Sequence, residues 1–247
     1  MLPTWHALLE LLPGICQVCG GWPARPVCDA CAKRFAGPAS RCTLCAAQVP
    51  DGLSRCGACL TRGAPSAVQA CAAAVDYAWP WDRLIARFKF RGEPGWATPF
   101  AREMLRAPLA RDLLAECGLM VPVPLTPTRL GERGHNQAWE LVKAVQRQAL
   151  VQRIPVPLRA SPDALVRLVE VPDQHSLTRA QRLQNLRGVF AAHPERVVDI
   201  RAAHVLLVDD VTTTGATLQA AAQALLQAGA ARVSALVFAR TPPPDQD

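Results

Sequence analysis

The sequence predicts an α/β fold, a parallel sheet with helices on both faces, preceded by a small double metal-binding module. Three observations predict it. From Val68 onward, short apolar runs alternate with amphipathic segments, as strand–helix units do around a covered sheet. Before Val68, eight cysteines stand in four Cys-x-x-Cys pairs within 44 residues. Towards the end, the apolar run His204 to Val208 leads into two acids, a threonine-rich loop and an Ala/Leu-rich segment.

The chain has 247 residues, enough for one ordinary domain plus a small module. Half are hydrophobic, which excludes a wholly disordered chain. The net charge is +7, and nearly all the cations are arginine. That balance suits an anionic ligand or a nucleic acid, although an Ala- and Arg-rich composition also arises from base usage alone. No membrane span is predicted, because the apolar stretch Ala7 to Leu12 is short and ends at Pro13. No basic segment precedes that stretch and no small-residue cleavage site follows it, so no secretory signal is expected. Cysteines spaced for metal rather than disulfides point to the cytoplasm.

A Cys-x-x-Cys turn aims two thiolates at one cation, and two such turns complete a tetrahedral zinc site. The pairs are Cys16/Cys19, Cys28/Cys31, Cys42/Cys45 and Cys56/Cys59, with gaps of eight, ten and ten residues. Sequential pairing puts one zinc on Cys16, Cys19, Cys28 and Cys31 and a second on Cys42, Cys45, Cys56 and Cys59. A crossed arrangement, first pair with third and second with fourth, stays open. Four thiolates leave no open position, so both zincs are expected to fold the segment rather than catalyse. Arg25, Lys33, Arg34, Arg41, Arg55 and Arg62 would suit a nucleic-acid or protein partner, but no aromatics interleave with them as a stacking platform requires. Cys71 and Cys117 fall outside the pairs and read as buried apolar residues. Thr61 to Ser66 reads as a linker, giving a double zinc-ribbon module over 1–62 and an α/β domain over 67–247.

Within that domain, Val68 to Tyr77 reads as a strand and Trp81 to Phe90 as an amphipathic helix ended by Arg91-Gly92. A further helix is expected from Trp96 to Leu105, a short strand from Leu119 to Val123 and a helix from Asn136 to Leu150. Between the last two, Thr126 to Gln137 reads as a basic loop. Such a loop at a strand's carboxyl end can hold an anion. Arg129 and Arg133 would offer planar donor forks to phosphate oxygens, unless the loop is simply solvated. His135, beside a helix start, reads as a cap or packed residue more than a catalyst. Gln174 to Phe190 is basic and contains a helix. It suits a lid over a charged ligand or an ordinary exposed helix equally.

His204 to Val208 reads as a central strand. Asp209 and Asp210 follow, then Val211, Thr212, Thr213, Thr214, Gly215, Ala216 and Thr217. The helix Ala216 to Ala228 comes next, with Gly229 in the C-cap place. Unpaired amides and the helix dipole at such a loop attract a phosphate, and Gly215 permits close approach. The acids can accept from vicinal ribose hydroxyls or hold a hydrated Mg2+. A ribose 5-phosphate fits both halves. No Gly-x-x-x-x-Gly-Lys-[Ser/Thr] or Gly-x-Gly-x-x-Gly competes with this reading.

Val205 to Thr217 resembles the phosphoribosyl pyrophosphate signature of type I phosphoribosyltransferases: an apolar run, two acids, then Thr-Thr-Gly-x-Thr. The whole chain resembles the ComF family, with an amino-terminal zinc ribbon. Val121-Pro122-Val123-Pro124-Leu125, Arg133-Gly134-His135-Asn136-Gln137, Leu177 to Phe190 and the signature loop occur in family order. The resemblance implies a type I phosphoribosyltransferase-like sheet. It implies that Asp209 and Asp210 hold the ribose hydroxyls and Mg2+, and that Thr213, Thr214, Gly215 and Thr217 hold the 5-phosphate. By the same resemblance Thr126 to Arg133 faces the pyrophosphate, and Arg179 and Arg182 belong to the lid. The family is named for a late competence protein linked to natural DNA uptake. Its members are often compared with amidophosphoribosyltransferases, but no amino-terminal glutaminase nucleophile is present here.

Two functions follow. One is a phosphoribosyltransferase using phosphoribosyl pyrophosphate and Mg2+, its acceptor not encoded by any transferable motif. The other is a non-catalytic accessory of DNA uptake that senses the ligand or a 5-phosphate end, with single-stranded DNA and a competence helicase-like protein as partners. A zinc-stabilised module on an inactive transferase scaffold is disfavoured by the intact acid pair.

Overall fold

The computed structural model describes residues 14–63, 65–157, 159–168 and 188–242. The lid expected at Gln174 to Phe190, including Arg179 and Arg182, falls almost entirely outside them, as does Ala7 to Leu12. By internal contacts the chain divides into two compact units, Met1–Gly37 and Pro38–Asp247.

The first unit is organised by its cysteines. Gly14 and Ala24 form an antiparallel bridge, and the Cys16 and Gln17 amides donate to the Gly21 and Pro26 carbonyls. Helix α1 (Asp29–Phe35) starts at Cys28, whose sulfur accepts from the Cys31 amide. Asp29 in its first turn, with Lys33 and Arg34 in its last, complements the helix dipole.

The second unit opens on the same plan, with a bridge between Arg41 and Gln48 and a short helix α2 (Gly57–Leu60) begun by Cys56. Its sheet contains β1 (Cys71–Asp76), β2 (Leu119–Pro122), β5 (His204–Thr212) and β6 (Arg232–Arg240), in the order β1-β6-β5-β2 and all parallel. A separate antiparallel ribbon joins β3 (Leu165–Arg167) to β4 (Phe190–Ala192). The helices are α3 (Trp81–Phe90), α4 (Ala97–Met104), α5 (Ala110–Glu116), α6 (Pro127–Arg133), α7 (Gln137–Val151), α8 (Val197–Ile200) and α9 (Ala216–Gln227).

Successive strand residues face opposite sides, and here each side has its own core. Val205 and Leu207 of β5, with Val233, Ala235 and Val237 of β6, pack on Leu218, Ala221, Ala222 and Leu225 of α9 and on Leu165 and Phe190 of the ribbon. The other side is aromatic: Phe100 of α4 stacks on Phe238 of β6 at 4.0 Å, and Trp81 and Phe88 of α3 meet these rings edge-on. α7 packs on α4, β2 and β5. Each fully buried aromatic side chain removes about 150–250 Å² from water, so this layer anchors α3 firmly.

The structure bears out the α/β class, with helices on both faces of a parallel sheet. Three differences from the sequence reading bear on the site. Thr126 to Gln137 is mostly helix: Thr126 caps α6 by accepting from the Arg129 amide, Pro127 suits the first turn, and Gly134 ends it at φ 72°. β5 runs on to Thr212, so both acids lie on the strand rather than in the loop. β6, left unassigned by the sequence reading, sits in the middle of the sheet. Ser66 and Ala67, at the end of the expected linker, are held by Gln219 of α9.

Candidate ligand site and metal centres

β2 and β5 lie side by side and parallel, with Pro122 opposite Val208 and the Val123 amide donating to the Val208 carbonyl. The segments that leave them therefore emerge together at the carboxyl edge of the sheet, the usual ligand edge of such folds. After β2 come Thr126 and α6. After β5 come Thr213, Thr214 and Gly215, then α9.

Strand alternation sends Asp209 and Asp210 towards opposite faces. Asp210 is buried and meets Lys89 of α3, with Nζ 3.0 Å from Oδ1. Asp209 accepts from the Asp210 amide at 2.9 Å. Burial, and next the charge of Asp210, push the Asp209 carboxyl up to about 7; the charges of Lys89 and of Arg167 on β3 oppose them. Cations from two sides thus face the acid pair. Neither was anticipated from the sequence. The signal available was a lone lysine between two phenylalanines, Phe88 and Phe90.

Val211 and Thr212 complete β5, with Thr212 buried. Thr213 is exposed, and Thr214 and Gly215 are half-buried. Gly215 caps α9 at φ 78°, a left-handed conformation that glycine adopts without strain, while a Cβ there would meet open space. Glycine is needed for the turn, not for room. The Thr214 hydroxyl accepts from the Ala216 amide at 3.3 Å. Thr217, half-buried, lies in the first turn of α9. The loop thus places Thr213, Thr214, Gly215 and Thr217 at one helix N-terminus, with Asp209 and Asp210 on the strand that leads into it.

Arg129 and Arg133 both lie on α6. Arg133 donates to Gln137 at 3.0 Å, and its guanidinium lies 5.3 Å from the centroid of the Phe90 ring. His135 donates its Nδ1–H to the Arg133 carbonyl at 3.0 Å and packs near Phe88. Asn136 caps α7 and ties its start to the Val123 carbonyl at the end of β2.

The cysteines gather in sequential quartets, Cys16/Cys19/Cys28/Cys31 and Cys42/Cys45/Cys56/Cys59, with all sulfurs of a set within 4.8 Å of one another. A tetrahedron with Zn–S near 2.3 Å has S···S edges of about 3.8 Å. The Cys19–Cys28 and Cys45–Cys56 sulfurs are 3.8 and 3.6 Å apart, so each quartet can hold a zinc ion. The electrostatics agree. Burial raises the Cys16 and Cys42 thiols, but backbone amides outweigh it and bring them down to about 6 and about 7. Burial and the neighbouring sulfurs push Cys31 and Cys59 upward. A shared cation would remove that conflict. Cys71 and Cys117 are buried, and burial pushes both to about 12.

The second quartet is bonded to the sheet. The Cys71 amide donates to the Thr43 carbonyl at 2.8 Å. Arg41 donates to Asp76 of β1 at 2.8 Å, and Gln48 reaches the same carboxylate. At the end of β6, Arg240 donates to the Cys45 carbonyl at 3.0 Å and reaches the Thr212 carbonyl at 3.5 Å. No described helix is long and apolar enough to cross a membrane.

A parallel sheet ending in two acids and a threonine–glycine loop, behind two cysteine quartets, defines a phosphoribosyltransferase-type protein with an amino-terminal metal module. Residues 163–245 match the phosphoribosyl transferase domain family. The chain is 30% identical over 241 residues to the DNA utilization protein YhgH of Escherichia coli (strain K12), covering 93% of this chain and 98% of that one. It is 27% identical over 219 residues to Competence protein F of Haemophilus influenzae, covering 87% and 90%. It is 30% identical over 158 residues to Competence protein ComFC of Bacillus subtilis, covering 64% and 58%. The chain belongs to the ComF family.

Proposed function

We propose that this chain binds phosphoribosyl pyrophosphate with Mg2+ and acts as a cytoplasmic phosphoribosyltransferase in a pathway of DNA uptake or utilisation. One observation carries the reading: the acids near the carboxyl end of β5 and the loop Thr213–Gly215 lead into a helix N-terminus at the edge where β2 also ends. Thr213, Thr214, Gly215 and Thr217 would hold the 5-phosphate through amides and hydroxyls. Asp209 and Asp210 would accept from the ribose hydroxyls. Arg129 would face the pyrophosphate, joined by Arg133 once its bond to Gln137 opens. Mg2+, when bound, would supply charge neutralisation for the leaving pyrophosphate. The bond from ribose C1 to the pyrophosphate oxygen breaks as an acceptor nucleophile bonds to C1. Residues 1–62 would carry structural zinc and 67–247 the ligand.

The test is calorimetric titration of zinc-loaded protein with phosphoribosyl pyrophosphate and Mg2+, beside an Asp209→Asn/Asp210→Asn variant. Binding is expected for the native chain and lost in the variant. Equal binding by both would remove the role assigned to the acids.

A second reading is favoured by Phe90, which is 72% exposed with Arg133 over its ring and Arg91 next in sequence. An exposed ring among arginines suits base stacking. In this reading the chain is an accessory that grips single-stranded DNA by a 5-phosphate end, alongside a helicase-like partner. Salt-dependent DNA binding without ligand turnover would favour it.

A further inference from the structure

We propose that Lys89 is part of the ligand site: its ammonium holds Asp210 in the ligand-free protein and passes to the phosphates when ligand takes that acid. The proposal rests on reading the loop after β5 as a site for phosphoribosyl pyrophosphate.

Lys89 sits in the last turn of α3. Its side chain is 20% exposed and that of Asp210 9%, at 3.0 Å. A solvated pair at this distance contributes little, but this one is largely withdrawn from water. Its neighbours fix where it can go. Phe88 is fully buried against Phe100, so the helix end is pinned. Phe90, on the other side, lies under the Arg133 guanidinium on α6, the element that follows β2. Only the lysine's own flexible stem is left to move, and it moves between β5 and the α6 side of the edge.

A carboxylate only accepts hydrogen bonds. A ribose hydroxyl or hydrated cation arriving at Asp210 therefore competes directly with the ammonium. Displaced, Lys89 would be a half-buried charge without a partner, which is unfavourable unless another anion replaces the first. The ligand brings such anions in its phosphates. One side chain then balances the charge of Asp210 while the site is free and contributes a contact when it fills. A plain brace between α3 and β5 would behave differently, since its removal would not favour any ligand component.

The experiment titrates native protein, Lys89→Met and Lys89→Arg with MgCl2 alone and with phosphoribosyl pyrophosphate plus Mg2+, after confirming similar unfolding midpoints. Lys89→Met should bind Mg2+ alone more tightly. It should bind phosphoribosyl pyrophosphate about tenfold to a hundredfold more weakly, as expected for one lost charge-assisted hydrogen bond. Lys89→Arg should recover most of that loss. Unchanged phosphoribosyl pyrophosphate affinity in Lys89→Met would overturn the proposal, as would a parallel loss for both titrants.

A second readout needs no variant. The chain has three lysines, Lys33, Lys89 and Lys143, so 13C-methylation of their amines gives few resonances to assign by NMR. The Lys89 signal should move with Mg2+ alone and move further with phosphoribosyl pyrophosphate; a stationary signal would refute the exchange. If the native protein binds no phosphoribosyl pyrophosphate, the ligand reading fails, whereas native binding that Lys89→Met leaves unchanged removes Lys89 from the site and leaves that reading standing.

Discussion

The quartet at Cys16–Cys31 and the quartet at Cys42–Cys59 share a knuckle, an antiparallel bridge and a short helix begun by a cysteine. The first belongs to the unit Met1–Gly37, whereas the second belongs to the unit that carries the sheet. Arg41, Thr43, Cys45 and Gln48 all bond to residues of β1 or β6. The same motif can therefore organise its own small unit in one place and brace a larger core in another. What differs is the set of hydrogen bonds around the knuckle, not the cysteines.

The largest effect should come from removing a quartet. Cys42→Ser with Cys59→Ser should lower the main unfolding transition by about 10 °C or more, since a structural zinc contributes folding free energy outright. Cys16→Ser with Cys31→Ser should leave that transition within about 2 °C. Calorimetry on both variants checks the contrast, and equal losses would end it. Next in size is Asp76→Asn, which leaves the Arg41 guanidinium, 8% exposed, without its carboxylate. A fully buried broken pair costs about 3–5 kcal/mol. With Asp76 a quarter exposed, about 2 kcal/mol is expected, together with faster zinc release from the second quartet to a colorimetric chelator.

Arg240→Met should be milder, about 1–2 kcal/mol for hydrogen bonds lost to the Cys45, Thr212 and Thr241 carbonyls. Its signature is local: amide exchange at Thr212 to Gly215 should quicken while that of α7 does not. The smallest effect concerns acid. Burial, and then Arg232, lower the pKa of His204 from its ordinary 6.5. The unfolded chain therefore takes up a proton below that value while the fold resists it, and stability falls as pH drops through about 6.5. His204→Gln should flatten that part of the slope. Acid sensitivity that remains in the variant includes that of Glu93 and Asp163, whose carboxyls hydrogen bonds from Arg87 and Arg196 hold below their ordinary range.

The sequence made some of this legible and hid the rest for physical reasons. The quartets could be read because Cys-x-x-Cys turns are local, and the structure selects sequential over crossed pairing. The loop at Asp209 could be read because acids, threonines and glycine are contiguous. α6 was obscured because its Arg and Gly content suggests a loop, while Thr126, Pro127 and Gly134 supply a cap, a first turn and a stop. The Lys89–Asp210 pair joins residues far apart in the chain, which periodicity cannot reveal. β6 went unassigned although Arg232 to Arg240 is a mostly apolar run of strand length.

Arg240 has a thermodynamic consequence. It touches the Cys45 carbonyl on one side and the Thr212 carbonyl, at the foot of the ligand loop, on the other. Binding at two sites joined in this way is reciprocal: any factor by which a filled second quartet strengthens ligand binding returns as the same factor in metal retention. Zinc and the phosphorylated sugar would then protect one another, and a chelator would meet more resistance in the presence of substrate than in its absence.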